Sequence, residues 1–219
     1  MSAKTKYAAM SRRAAMTAAA LAAMATLAGC GGGGAGAGAE GDMAIGASEA
    51  DAKVTVVEYA SVTCGVCAAW HEETWPAFKA AYVDTNKVRF VFREFPTGPV
   101  NVAVAGFMIA RCAGEDKYFD VVGGIMSSQR EWQQGVNPRD TLFRIGNGAG
   151  LSNQQIETCI KDPENIAAAD ARARAAQAAG VDGTPSFYVN GVKVITPGST
   201  SGPSFADLSR AIDAELAKG

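Results

Sequence analysis

The chain has 219 residues, 48% of them apolar and 19% charged, a composition that suits a globular domain and excludes a chain disordered throughout. Its formal net charge is −2, and no basic stripe with interleaved aromatic residues follows the first residues, which argues against nucleic acid as a partner. Proteins or small molecules remain as substrates.

In chain order, Lys4, Lys6, Arg12 and Arg13 precede an uncharged, Ala-rich run from Ala14 to Ala28, the layout of a secretory signal peptide over residues 1–29. Leu27, Ala28, Gly29 and Cys30 resemble the lipobox of bacterial lipoproteins, which makes Cys30 the expected lipidation site and mature N-terminus. Cleavage without lipidation is the alternative. Ser11, Arg12 and Arg13 also hint at twin-arginine export, so the route stays open. Removal of the leader leaves 16 Lys and Arg against 22 Asp and Glu, a net charge of −6. Residues 30–46 are mostly Gly and Ala, too poor in large apolar groups to offset chain entropy, and read as a flexible tether. Such a segment spans about 20 Å.

The folded part is expected to begin with Val54–Tyr59, a β-branched run that reads as a buried central strand interrupted by Glu58. After Ser61–Cys64 comes a helical pattern in which Cys67, His71, Trp75, Phe78 and Tyr82 recur at spacings of four and three, with Pro76 placed to kink it. Val88–Phe95 supplies the next strand and completes a βαβ unit. From Pro99 to Ala179 the periodicity is helical throughout, with a capping box at Ser152 and Gln155, a helix start at Asp162–Pro163 and a stop at Gly180. Strands resume at Ser186–Val189, turn through Asn190–Gly191 and return over Val192–Ile195. A closing amphipathic helix carries Phe205, Leu208, Ile212 and Leu216. The expected class is therefore α/β, with residues 47–98 and 181–219 forming one unit interrupted by an all-helical insertion over 99–180.

With Cys30 lipidated, Cys64, Cys67, Cys112 and Cys159 remain, an even number suited to an oxidising compartment. Three pairings are formally possible, and only Cys64 and Cys67 have the spacing of a redox motif. At a strand-to-helix junction, unpaired backbone N–H groups and the helix dipole favour a thiolate at the first cysteine. Cys64 is thus the expected nucleophile and Cys67 the resolving thiol that attacks a mixed disulfide formed at Cys64.

Val54 through Pro96, the helical insertion, and Gly183, Thr184, Pro185 ahead of a strand together resemble the DsbA family of exported thioredoxin-fold proteins. The resemblance covers nearly the whole mature domain. It implies a thioredoxin-like fold with an inserted helical domain and a thiol-disulfide oxidoreductase that needs no cofactor. It matches Glu58 to the buried acid beneath the disulfide, which accepts the Cys67 proton. Thr184 and Pro185 match the cis-proline loop beside the active-site pair, whose backbone receives an extended substrate. Because some relatives carry a second disulfide in the helical domain, Cys112 and Cys159 are expected to pair. One departure matters: many relatives have Pro and His between the cysteines, where this chain has Gly65 and Val66, so the oxidising power is open.

The function implied is a disulfide-forming oxidase acting on exported proteins, reoxidised by a membrane redox partner, monomeric, lipid-anchored in the periplasm. Alternatives are a reductase or isomerase of the same fold, or a copper- or zinc-binding module using Cys64, Cys67 and His71. Against the metal, no fourth ligand is evident, and His71 is expected to pack with Trp75, Phe78 and Tyr82.

Overall fold

The structure, a computed structural model, describes residues 41–218; the leader, Cys30 and most of the tether lie outside them. Five strands form one sheet in the order β1-β3-β2-β4-β5: β1 Met43–Gly46, β2 Thr55–Ala60, β3 Arg89–Glu94, β4 Ser186–Val189 and β5 Val192–Val194. β2 runs parallel to β3 and antiparallel to β4, and the two edge strands are antiparallel to their neighbours.

Side chains alternate across β2, and both faces are covered. Val56 and Ala60 face one apolar layer with Phe90, Phe92 and Phe187, whereas Val57 and Tyr59 face another with Val91, Tyr188 and Val181. This is why the strand reads as a nearly continuous apolar run. Glu58 shares the period of Val56 and Ala60, so it points into the main core.

The crossover from β2 to β3 starts with helix α1 Gly65–Glu73, breaks at Thr74, and continues as α2 Trp75–Phe78 and a π-helical turn Lys79–Val83. The break comes two residues before Pro76, which sits in the first turn of α2, where a missing N–H costs least. Between β3 and β4 lie six helices: α3 Val100–Cys112, α4 Glu115–Ser127, α5 Gln129–Gln133, α6 Pro138–Gly148, α7 Asn153–Lys161 and α8 Pro163–Ala178. Ser152 and Gln155 form a reciprocal capping box on α7, and Asp162 caps α8 ahead of Pro163. The closing helix is α9 Phe205–Leu216. A sheet with this βαβ start, a late hairpin and an intervening helical block is a thioredoxin-like fold with an inserted all-helical domain.

One boundary requires correction. The tether expected to reach Gly46 gives way earlier: Asp42 pairs with Arg93 at 2.8 Å, and Met43–Gly46 pair with Phe92–Arg89 as an edge strand. Gly and Ala carry no strand propensity, and the pairing partner supplies what the local sequence lacks.

Two features bind the helical block to the sheet. Glu94, 3% exposed at the end of β3, accepts hydrogen bonds from Arg111 of α3, Arg172 of α8 at 2.8 Å and the Tyr118 hydroxyl of α4 at 3.2 Å. Gly106 lets α3 approach the loop after β2, since a Cβ there would stand 3.0 Å from Val62 Cγ2. Cys112 and Cys159 are joined across α3 and α7, their Cα atoms 6.5 Å apart. Among the described residues no helix is long and apolar enough to cross a membrane.

Candidate active site

Cys64 occupies the N-cap of α1 with extended backbone angles, so its side chain turns over the helix end. The Cys67 backbone N–H donates to Cys64 Sγ at 3.2 Å, and Cys64 Sγ lies 3.6 Å from the Thr184 carbonyl oxygen. Cys64 is partly exposed and Cys67 fully buried, and the two are not joined to each other. The Thr184–Pro185 peptide is cis, and this loop lies against the thiol.

The electrostatics of the two thiols diverge. A hydrogen bond from Cys67 does most to bring Cys64 down from 9.0 to about 6; burial opposes it, and the Thr184 side chain and the backbone N–H groups of Cys67 and Val66 assist. Burial, above all, pushes the Cys67 thiol far up, and its hydrogen bond to Cys64, the Cys64 charge and the Glu58 charge add to this. The pair therefore holds one thiolate, at the exposed sulfur, and one proton, at the buried sulfur.

Since the folded value of Cys64 lies below its value in an unfolded chain, the reduced fold binds fewer protons between about pH 6 and pH 9, and its stability rises with pH through that window. Alkylation of native reduced protein at Cys64 should accordingly increase about tenfold per pH unit below pH 6 and level off above about pH 7. Peptide mapping after iodoacetamide pulses checks this; a rate still climbing at pH 9 contradicts it.

Glu58 is fully buried, and its partner is one that residue spacing does not signal. Both carboxylate oxygens lie 2.9–3.0 Å from His71 Nε2. The expected aromatic packing of His71 is present, with Trp70, Trp75 and Phe92 around the ring, and the contact with Glu58 is an addition to it. Among the described residues no three His, Cys, Asp or Glu side chains converge as a metal site would require. The alternative metal set of Cys64, Cys67 and His71 has no geometric support.

Three further residues hold the site. Gln129, from α5 of the helical block, donates through Nε2 to the carbonyls of Val62 at 2.8 Å and Cys64 at 3.2 Å, tying the loop before α1 across the domain. Trp70 packs its ring against Phe187 and donates from Nε1 to the Pro203 carbonyl at 2.8 Å. Gly202, at φ +86°, brings the segment before α9 onto the site: a Cβ there would meet Pro185 Cγ at 2.9 Å. A groove of about 430 Å³ runs between α1 and α4 beside Gly65, and a smaller one of about 240 Å³ lies under Thr184 and Pro185.

A family model described as Thioredoxin matches residues 38–214 of the chain. A Rickettsia typhi protein that carries the name protein-disulfide oxidoreductase is 34% identical over 177 residues, covering 80% of this chain and 62% of that protein. The chain thus spans about three fifths of the length of such relatives. A Bacillus cereus protein named for disulfide bond formation is 29% identical over 77% of this chain and 76% of its own length. Among solved structures, alpha-DsbA1 of Wolbachia pipientis superposes with a TM-score of 0.71 at 23% identity, covering 83% of this chain and 94% of that one. BdbD of Bacillus subtilis gives 0.70 at 20% identity, covering 85% and 98%.

Proposed function

Because this chain belongs to the thioredoxin family and shares its fold with alpha-DsbA1, we propose that it is a DsbA-like protein thiol-disulfide oxidoreductase that donates the Cys64–Cys67 disulfide to exported proteins. Cys64 is the atom attacked in the oxidised state and the nucleophile in the reduced state. Cys67 is the resolving thiol, Glu58 the buried acid that exchanges a proton with it, and Thr184 and Pro185 border the bound substrate segment. The carrying observation is the placement of Cys64 at the N-cap of α1, its Sγ accepting from the Cys67 N–H at 3.2 Å and lying 3.6 Å from the Thr184 carbonyl, an arrangement that brings its thiol down to about 6. A stabilised thiolate makes the reduced pair favourable, so the disulfide is given away readily.

Gly65 and Val66 supply neither charge nor a side-chain hydrogen bond, so what a histidine would do in that position falls to other groups. Here the Cys67 thiol and N–H and the Thr184 side chain bring the sulfur down. Equilibration with glutathione buffers tests the direction. A potential above about −200 mV is expected for an oxidase, on a scale where reducing thioredoxin lies near about −270 mV and the strongest donors near about −120 mV. A value near the lower end would make the protein a reductase.

We place the protein outside the cytoplasm, lipid-anchored in the periplasm through Cys30 and recharged by a membrane redox partner. The signal-like leader and the four lipobox positions support this reading. Cys30→Ala should move the protein from the detergent-extracted to the soluble periplasmic fraction. Unchanged fractionation removes the anchor.

A further inference from the structure

Cys67 and Glu58 are both 0% exposed, yet the chemistry moves a proton at Cys67 each time the disulfide opens or closes. When a substrate thiolate attacks Cys64 Sγ, the S–S bond breaks and its electron pair is left on Cys67 Sγ. That sulfur holds its proton strongly and departs poorly as an anion. A proton must reach it through protein.

We propose that His71 is the proton carrier for this step, linking Glu58 and the buried Cys67 to solvent in the groove between α1 and α4. The inference rests on the oxidoreductase reading above and adds a residue to it. His71 lies one helical turn after Cys67 on the same face of α1. Its Nε2 stands 2.9–3.0 Å from both oxygens of Glu58, with a side chain 11% exposed and lining the groove. It is therefore the member of the pair that touches both the acid and solvent.

The walls favour this path. Trp70, Trp75 and Phe92 surround the imidazole at centroid distances of 5.4, 5.3 and 6.4 Å, and α4 adds Phe119, Val122 and Met126 to the groove. Of the titratable and charged groups around the ring, Glu58 from β2 contacts it, Glu72 from its own helix and Arg130 from α5 line the same groove, and Cys67 lies one turn earlier on its helix. Glu72 and Arg130 pair with each other at 2.6 Å at the exposed rim.

The step balances. One S–S bond breaks between Cys64 and Cys67, and one forms between Cys64 and the substrate sulfur. A solvent proton from the groove enters the imidazole at Nδ1 as its Nε2–H passes to the Glu58 carboxylate, and Glu58 hands a proton to Cys67 Sγ, so that imidazole and carboxylate both end in the form in which they began. In the closing direction the same proton leaves by the reverse route. A second thiolate of the substrate then attacks the substrate sulfur of the mixed disulfide and expels Cys64 as its thiolate, which leaves the substrate oxidised to a disulfide and the cysteine pair reduced, with no other reactant.

The test is the rate at which a peptide dithiol reduces the oxidised full-length protein, followed from pH 5 to 9 for wild type, His71→Asn and His71→Gly. Loss of general acid–base transfer should slow both variants about 10²-fold. Imidazoles of differing pKa should restore His71→Gly in proportion to buffer acid concentration, with a rate that depends on the buffer pKa. A merely structural role would give restoration independent of pKa, and His71→Asn with the wild-type pH profile would equally overturn the carrier. Should the variants fail to fold, wild type itself decides: a solvent deuterium isotope effect of about 2 or more is expected, and none would refute proton transfer in this step. A wild-type protein inert toward dithiols would instead sink the oxidoreductase reading, and the carrier with it.

Discussion

Cys67→Ser should accumulate reducible covalent adducts with other proteins, and Cys64→Ser should not. In the reduced protein the sulfur able to attack is the one at the helix N-terminus, partly exposed and lowered to about 6, while its neighbour is buried and protonated. A serine at position 67 still offers a hydroxyl and an N–H to Cys64, so attack on an oxidised partner proceeds. Resolution does not, because no thiol remains to displace the partner. Cys64→Ser leaves only a buried thiol with a strongly held proton, and adducts should be scarce. Steady-state turnover should fall at least about 10³-fold in both variants, since neither half of the exchange completes without both sulfurs. Non-reducing gels with peptide mapping of the adducts read the asymmetry. Equal adduct levels from the two variants would overturn the roles assigned here, and absence from both would remove the exchange activity itself.

The Cys112→Ala/Cys159→Ala double variant is expected to show the largest stability change without loss of the redox pair. The bond closes a loop between residues 47 apart in sequence and joins α3 to α7. Chain entropy alone assigns such a loop about 4 kcal/mol, toward the upper end of what is observed because unfolded chains retain structure. For a domain of this size that corresponds to a loss of about 10 °C in the unfolding midpoint. The double variant is the cleaner comparison, because Cys112 is exposed and Cys159 buried, so either single variant leaves a reactive or an unpaired sulfur behind. Calorimetry at matched redox conditions checks it, with Cys64 alkylation as the control for an intact site. An unchanged midpoint would mean the pair contributes nothing to the fold.

Much of this protein is legible locally. The pairing of Cys64 with Cys67 at a strand-to-helix junction, the capping box at Ser152 and Gln155, the Asp162–Pro163 helix start and the Asn190–Gly191 turn each depend on residues a few positions apart. Their geometry is set by short-range sterics and hydrogen bonds, and residue order therefore carries it. Glu58 stands out as the acid in an apolar strand, but its burial is implied by the family resemblance alone, because a single sequence does not fix which way a strand faces.

What tertiary structure decided are the contacts between elements. Met43–Gly46 are a strand because β3 offers a free edge, although their Gly and Ala neighbours read as tether. His71 pairs with Glu58 because the rotation of α1 over the sheet brings one helix face onto one strand face, an angle that helical spacing leaves undetermined. Gln129 reaches the Cys64 carbonyl across 65 positions, and Glu94 gathers arginines from two helices of the insertion. Periodicity tells which side of an element is buried, since transfer of apolar surface from water needs no particular partner. A hydrogen bond or ion pair does need one, at a fixed distance and direction, and only the packed chain supplies it.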